Sequence, residues 1–167
     1  MMQLSSVAGR EQAIDTMITL TRLSNQYRAI VAGRQSMELL VSLRRRGFAR
    51  ISTPTTHSGP RGQHSIALII AETSQAATEA VLAEVSRLLA ANATIAILMN
   101  SREGEFCLNI RKKLEQIGFS IDAGVRCQEG LVLSASRQGF SQGVCQGGCQ
   151  AFCQAFGHVP ARIETAA

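Results

Sequence analysis

One β-α-β unit at the front of the chain narrows the possible folds more than any other feature. Residues 28–33 read as a buried strand ending in a turn, Arg34 to Gly47 as a helix with its stop, and Phe48 to Thr53 as the next strand. That is the opening of a doubly wound sheet, in which ligands bind at the turn after the first strand. Here the turn, Ala32-Gly33-Arg34-Gln35-Ser36, holds a single glycine. The second strand ends in Ser52-Thr53-Pro54, with no acidic residue.

The rest of the chain continues the pattern. Apolar residues at Ile14, Met17, Ile18 and Leu20 have helical spacing, so residues 1–27 are expected to form an N-terminal helix packed on the domain. The first strand is placed at 28–32, its crossover helix at 35–46 and the second strand at 48–53. The loop 54–63 is rich in turn residues and too short for a helix plus a strand. Residues 65–71 are continuously apolar, as a strand covered on both faces requires. A helix over 74–91, a strand over 94–99 and a helix over 105–117 follow. Then 119–126 alternates apolar and polar, and 131–136 returns after a short turn, which reads as a hairpin.

Composition bounds the class. The 167 residues are 46% hydrophobic and 17% charged, which suits one globular α/β domain over 28–137. From residue 138 the chain turns to Gly, Gln and Cys, and 138–167 is expected to be a flexible tail. No apolar run is long enough to span a bilayer, so no membrane partner is expected. No signal-like N-terminus precedes the domain, and the five cysteines are an odd number; together they suggest a reduced, cytoplasmic setting.

The hairpin ending carries a resemblance. Leu114-Glu115-Gln116-Ile117-Gly118-Phe119, followed by strands that close at Val132-Leu133-Ser134-Ala135, resembles the end of class I S-adenosylmethionine-dependent methyltransferases. The likeness covers roughly residues 10–137. It implies a three-layer Rossmann-like α/β fold, with a mostly parallel six-stranded sheet in the order 2-1-3-4-6-5 and a C-terminal antiparallel hairpin. It further implies S-adenosylmethionine as cofactor, held by Gly33, Arg34, Gln35 and Ser36 at the first turn. Ser52 and Thr53 stand where the family uses an acidic residue on the ribose, and Glu72 closes the third strand. Asn100 would line the same edge. The family also has a helix–strand unit between the second and third strands that this chain lacks.

Each candidate has a structural reading beside the functional one. A single-glycine turn can receive an anion at a helix N-terminus, or simply be tight. Glu38 can face a ligand or complement the helix dipole, and Glu72 can be a solvated loop residue. Arg44-Arg45-Arg46 and Arg111-Lys112-Lys113 are read as helix-end and exposed-face cations, so no nucleic acid partner is expected despite the net charge of +5. His57 and His64 lack a third ligand with metal spacing, and Cys107 and Cys127 are isolated. Cys145, Cys149 and Cys153 recur every four residues; on a helix that stripe is too long for one zinc ion, and no metal is expected. Two functions stay open: methyl transfer from S-adenosylmethionine to an unknown substrate, or a non-catalytic binding or assembly module on the same fold. The partner is then a small molecule or a protein, and a homo-oligomer is possible.

Overall fold

The apolar runs of the sequence become the middle of a sheet. The computed structural model describes residues 3–56, 60–100 and 104–137. His57 and the cysteines and histidine of the 138–167 tail lie outside the described residues. The elements are α1 (Gln3–Thr21), β1 (Ala29–Gly33), α2 (Ser36–Arg45), β2 (Ile51–Ser52), a 3-10 turn (Pro54–Thr56), β3 (His64–Ile70), α3 (Gln75–Leu88), β4 (Leu89–Met99), α4 (Gly104–Gln116), β5 (Ser120–Cys127) and β6 (Gly130–Ser136).

The six strands form one sheet in the order β2-β1-β3-β4-β6-β5. The first four are parallel, and β6 runs antiparallel to both β4 and β5. Two apolar layers sandwich it. On one face Ile30, Ile69, Ile95, Ile97 and Leu133 pack with Leu82 and Val85 of α3 and with Ile110 and Leu114 of α4. On the other, Val31, Leu68, Leu98 and Val132 pack with Ile14 and Met17 of α1 and with Leu39 and Leu43 of α2. Alternate residues of β1, β3 and β4 thus serve opposite layers, which is why these strands read as unbroken apolar runs.

Four boundaries moved. The first helix ends at Thr21 rather than 27, and 22–28 form the turn that leads into β1. The second strand shrinks from 48–53 to Ile51–Ser52, because β1 pairs with it only through Ala29 and Ile30. Phe48 instead finishes α2, its N–H bonding the Leu43 carbonyl at 3.1 Å. The third helix stops at Leu88, and β4 starts there and runs for 11 residues. Leu89 and the alanines after it favour helix, but Leu89 pairs with His64 on β3, and Leu89 and Ala93 are buried. Tertiary pairing overrides local propensity at that point.

The link from β2 to β3 must pass β1 to reach the far side of it. A right-handed crossover carries it over the α3 face. Among the described residues the only regular structure on this link is the 3-10 turn Pro54–Thr56. The missing helix–strand unit is therefore a feature of the fold, and the space beside α3 is left as a cleft.

Candidate functional site

The cleft opens at the carboxyl ends of β1 and β2. It holds about 200 Å³ and is bordered by Gly33 and Ser36 at the β1–α2 turn, Thr53 and Thr55 after β2, and Val81 and Glu84 on α3.

Gly33 occupies the turn with φ +86°. A Cβ on it would lie 2.0 Å from the Ile70 carbonyl oxygen of β3. The next residue returns to that oxygen, with Arg34 N–H bonded to Ile70 O at 3.0 Å. The glycine is thus required by a close approach of two strands of the protein itself, and the space its missing side chain leaves is filled by backbone.

Gln35 precedes α2 in the left-handed region, at φ 56°, and its side chain makes no capping hydrogen bond. Ser36 is the first helical residue rather than the cap. By contrast α3 begins with an ordinary cap: Ser74 Oγ accepts from Ala77 N–H. Glu38 points away from the cleft to an ion pair with Arg10 of α1, so its role is to tie α2 to α1.

The structure separates the candidates. Gly33, Ser36 and Thr53 meet at the cleft. Arg34 and Gln35 are exposed and do not line it. Thr53 is buried, with its hydroxyl 3.0 Å from that of Thr55. Ser52 turns elsewhere, its hydroxyl 2.9 Å from Nε2 of buried His64, whose Nδ1 lies 3.4 Å from the Leu88 carbonyl. That histidine bridges β2, β3 and the end of α3, so its use is structural. Glu72 is half-buried at the neighbouring β3–α3 turn, where its N–H bonds Thr78 Oγ1 at 3.0 Å. Asn100 is exposed just past β4. Among the described residues no three His, Cys, Asp or Glu side chains converge on a possible metal position. Cys107 and Cys127 are half-buried free thiols, and the Cys127 thiol donates to Thr16 Oγ1 at 3.4 Å.

Sequence reasoning missed Thr55, Val81 and Glu84. Thr55 sits in an irregular link with no periodic signal. Val81 and Glu84 are three apart on α3 and share a flank, but only the angle at which α3 packs shows that this flank meets the link.

No family model matches the chain, and no curated relative matches it. Its likeness is to solved structures. One is a 1,6-didemethyltoxoflavin-N1-methyltransferase of Burkholderia thailandensis solved with S-adenosylhomocysteine, 13% identical, with a TM-score of 0.54 over 78% of this chain and 79% of that one. Another is the magnesium protoporphyrin IX methyltransferase of Synechocystis with the same ligand, 11% identical, with a TM-score of 0.54 over 78% and 84%. The geranyl diphosphate C-methyltransferase of Streptomyces coelicolor follows at 7% identity, with a TM-score of 0.52 over 77% and 81%. At such identities the likeness is one of fold. The chain has the class I methyltransferase-like Rossmann fold, with the strand order and closing antiparallel hairpin expected from its sequence.

Among the described residues the cleft is small beside S-adenosylmethionine, and no acidic side chain stands at the end of β2. Pockets for drug-sized ligands run from about 300 Å³ upward, above the 200 Å³ here. The end of β2 offers neutral hydroxyls, and the carboxylate on the cleft, Glu84, comes from α3.

Proposed function

We propose that this chain is a non-catalytic methyltransferase-like module that binds a small molecule in the Gly33 cleft. The observation that carries the reading is the cleft itself: it opens at the turn after the first strand, where ligands bind in such folds, yet is small, and its lining mixes the hydroxyls of Ser36, Thr53 and Thr55 with apolar Met37, Pro54 and Val81. Ser36, Thr53 and Thr55 can donate to or accept from a neutral polar ligand. Glu84 at the rim favours one carrying an amine. The outer face of α2 adds a site for a protein contact that borders the cleft, since Met37, which also lines the cleft, and Val41 are 59% and 42% exposed one turn apart.

A second reading, retained binding of S-adenosylmethionine and methyl transfer to an unidentified substrate, is favoured by the position of the cleft and by structural neighbours solved with S-adenosylhomocysteine. Calorimetric titration of the full, reduced chain separates the two. The first reading expects no saturable heat with S-adenosylmethionine or S-adenosylhomocysteine, and binding of smaller amine-bearing polar probes that Glu84→Gln weakens. Saturable binding of the whole cofactor would replace it with the second. If no small molecule binds, the cleft reading fails and α2 remains as a protein contact.

A further inference from the structure

Six exposed arginines gather at one edge of the sheet. Helices in this fold run against the parallel strands, so the last turns of α2 and α3 and the starts of β1–β3 meet at one edge, the amino edge. Arg44 and Arg45 end α2, and Arg87 ends α3. Arg28, Arg50 and Arg61 come just before β1, β2 and β3. The backbone brings the last three together. Ala29 N–H bonds the Arg50 carbonyl and Ser65 N–H bonds the Arg28 carbonyl, each at 3.0 Å. Gly62 lies against the Leu89 carbonyl, so Arg61 stands by the α3–β4 junction near Arg87.

All six arginines are exposed, and among the described residues none has a carboxylate within ion-pair distance. Acids are fewer there: Glu11 and Asp15 of α1 reach the end of α2 but are taken up by Arg46, Glu115 in the last turns of α4 pairs with Arg111, and Asp122 near the start of β5 accepts from Ser136. Glu38, Glu72, Glu105 and Glu129 are at the carboxyl edge, at helix starts and at the β5–β6 turn, and Glu84 borders the cleft. Helix-dipole complementation accounts for Arg44, Arg45 and Arg87. Arg28, Arg50 and Arg61 are not on helices; Arg28 donates to Gln63 Oε1 at 2.6 Å and Arg50 to the Gln26 carbonyl at 3.3 Å, neutral partners that leave the charges uncompensated. Tyr27, the chain's one tyrosine, is 47% exposed in the turn between α1 and Arg28.

We infer that the amino edge is a docking face for single-stranded nucleic acid. Guanidinium forks match phosphate oxygens in pairs, and an exposed aromatic ring beside them offers a platform for a base. A lipid surface would call for apolar side chains among the cations. Met37 lies in the first turn of α2, toward the opposite edge, and among the described residues Val41, one turn before Arg45, is the one large exposed aliphatic side chain near these cations. The expectation that no nucleic acid binds read Arg44-Arg45-Arg46 as helix-end cations and Arg111-Lys112-Lys113 as an exposed helix face. The fold gathers α2, α3 and three strand starts at one place.

The test is fluorescence anisotropy of a labelled, mixed-sequence single strand of about 16 nucleotides, titrated with the full reduced chain over a salt series. Binding should fall steeply with salt. Arg50→Gln with Arg61→Gln should weaken it about tenfold and lower the log–log salt slope by about 1.4, at roughly 0.7 per phosphate contact. The pair Arg34→Gln with Arg126→Gln removes the same charge from the carboxyl edge and should change it little. Tyr27→Ala should weaken binding about tenfold with the slope unchanged. The inference is overturned if the strand does not bind at low salt, or if the two arginine pairs weaken binding equally. Binding to phosphatidylserine vesicles without binding to the oligonucleotide would also overturn it.

Discussion

The two flanks of the sheet are built to different standards. At the β5–β6 flank two strands of 8 and 7 residues pair along their length, and β6 pairs with β4 from Thr94 to Met99. At the other flank β2 pairs through two residues and is followed by a 3-10 turn where a helix could lie. The first flank identifies the fold. The second sets the limits of the ligand site, because the groups that would deepen the cleft are those the short link leaves out. A chain can therefore keep the architecture of a fold in full and its binding site only in part.

The contrast can be broken at two glycines. Gly33 and Gly130 each sit where a Cβ would meet a carbonyl oxygen, that of Ile70 at 2.0 Å and that of Met99 at 2.1 Å. Gly33→Ala and Gly130→Ala should each cost about 3 kcal/mol or more in urea unfolding, from steric overlap plus a left-handed backbone. If Gly33→Ala were silent, the glycine would belong to the ligand site and not to the strand contact. For the same reason, lost ligand binding in a Gly33 variant would not by itself report on the cleft; Glu84→Gln is the cleaner probe.

Core truncations sharpen the comparison. Ile97→Ala, in the centre of β4, should cost about 3–4 kcal/mol, while Ile51→Ala on β2 should fall near 2 kcal/mol, because the short edge strand can relax around the space. Equal costs would mean that β2 is as tightly held as the centre.

The two helix starts differ by less. Ser74→Ala removes the α3 cap and should cost about 1 kcal/mol. Gln35→Gly relieves a left-handed residue at the start of α2 and should stabilise by about 0.5 kcal/mol. Thermal denaturation of the pair would show the two changes moving in opposite directions.

A comparably small effect is expected at Arg46. Burial pulls its guanidinium down, but Glu11 and Asp15 on α1 outweigh this and hold it above its ordinary value. Both acids are largely solvated, with side chains 49% and 66% exposed, so solvent screens the pairs. Arg46→Ala should cost about 0.5 kcal/mol, and less at high salt.

Much of this molecule was legible in its residues. Unbroken apolar runs at Ile66 to Ile70 and Ile95 to Met99 can only be strands covered on both faces, and the alternation after Phe119 can only close the sheet as a hairpin. The gap between Thr53 and His64 was visible as a stretch too short for another unit. Local pattern stopped being informative where partners far apart in sequence decide. Leu89 extends into β4 because His64 waits on β3. Ser52 leaves the cleft for that same histidine. Glu84 reaches the cleft because α3 packs at a particular angle, and six arginines share an edge because helices and strands run in opposite senses. Periodicity encodes which face of an element is buried, which is a property of neighbours along the chain. Which side chains share a site, and which charges share a surface, depends on the register and crossing of whole elements, and only the packed structure supplies that.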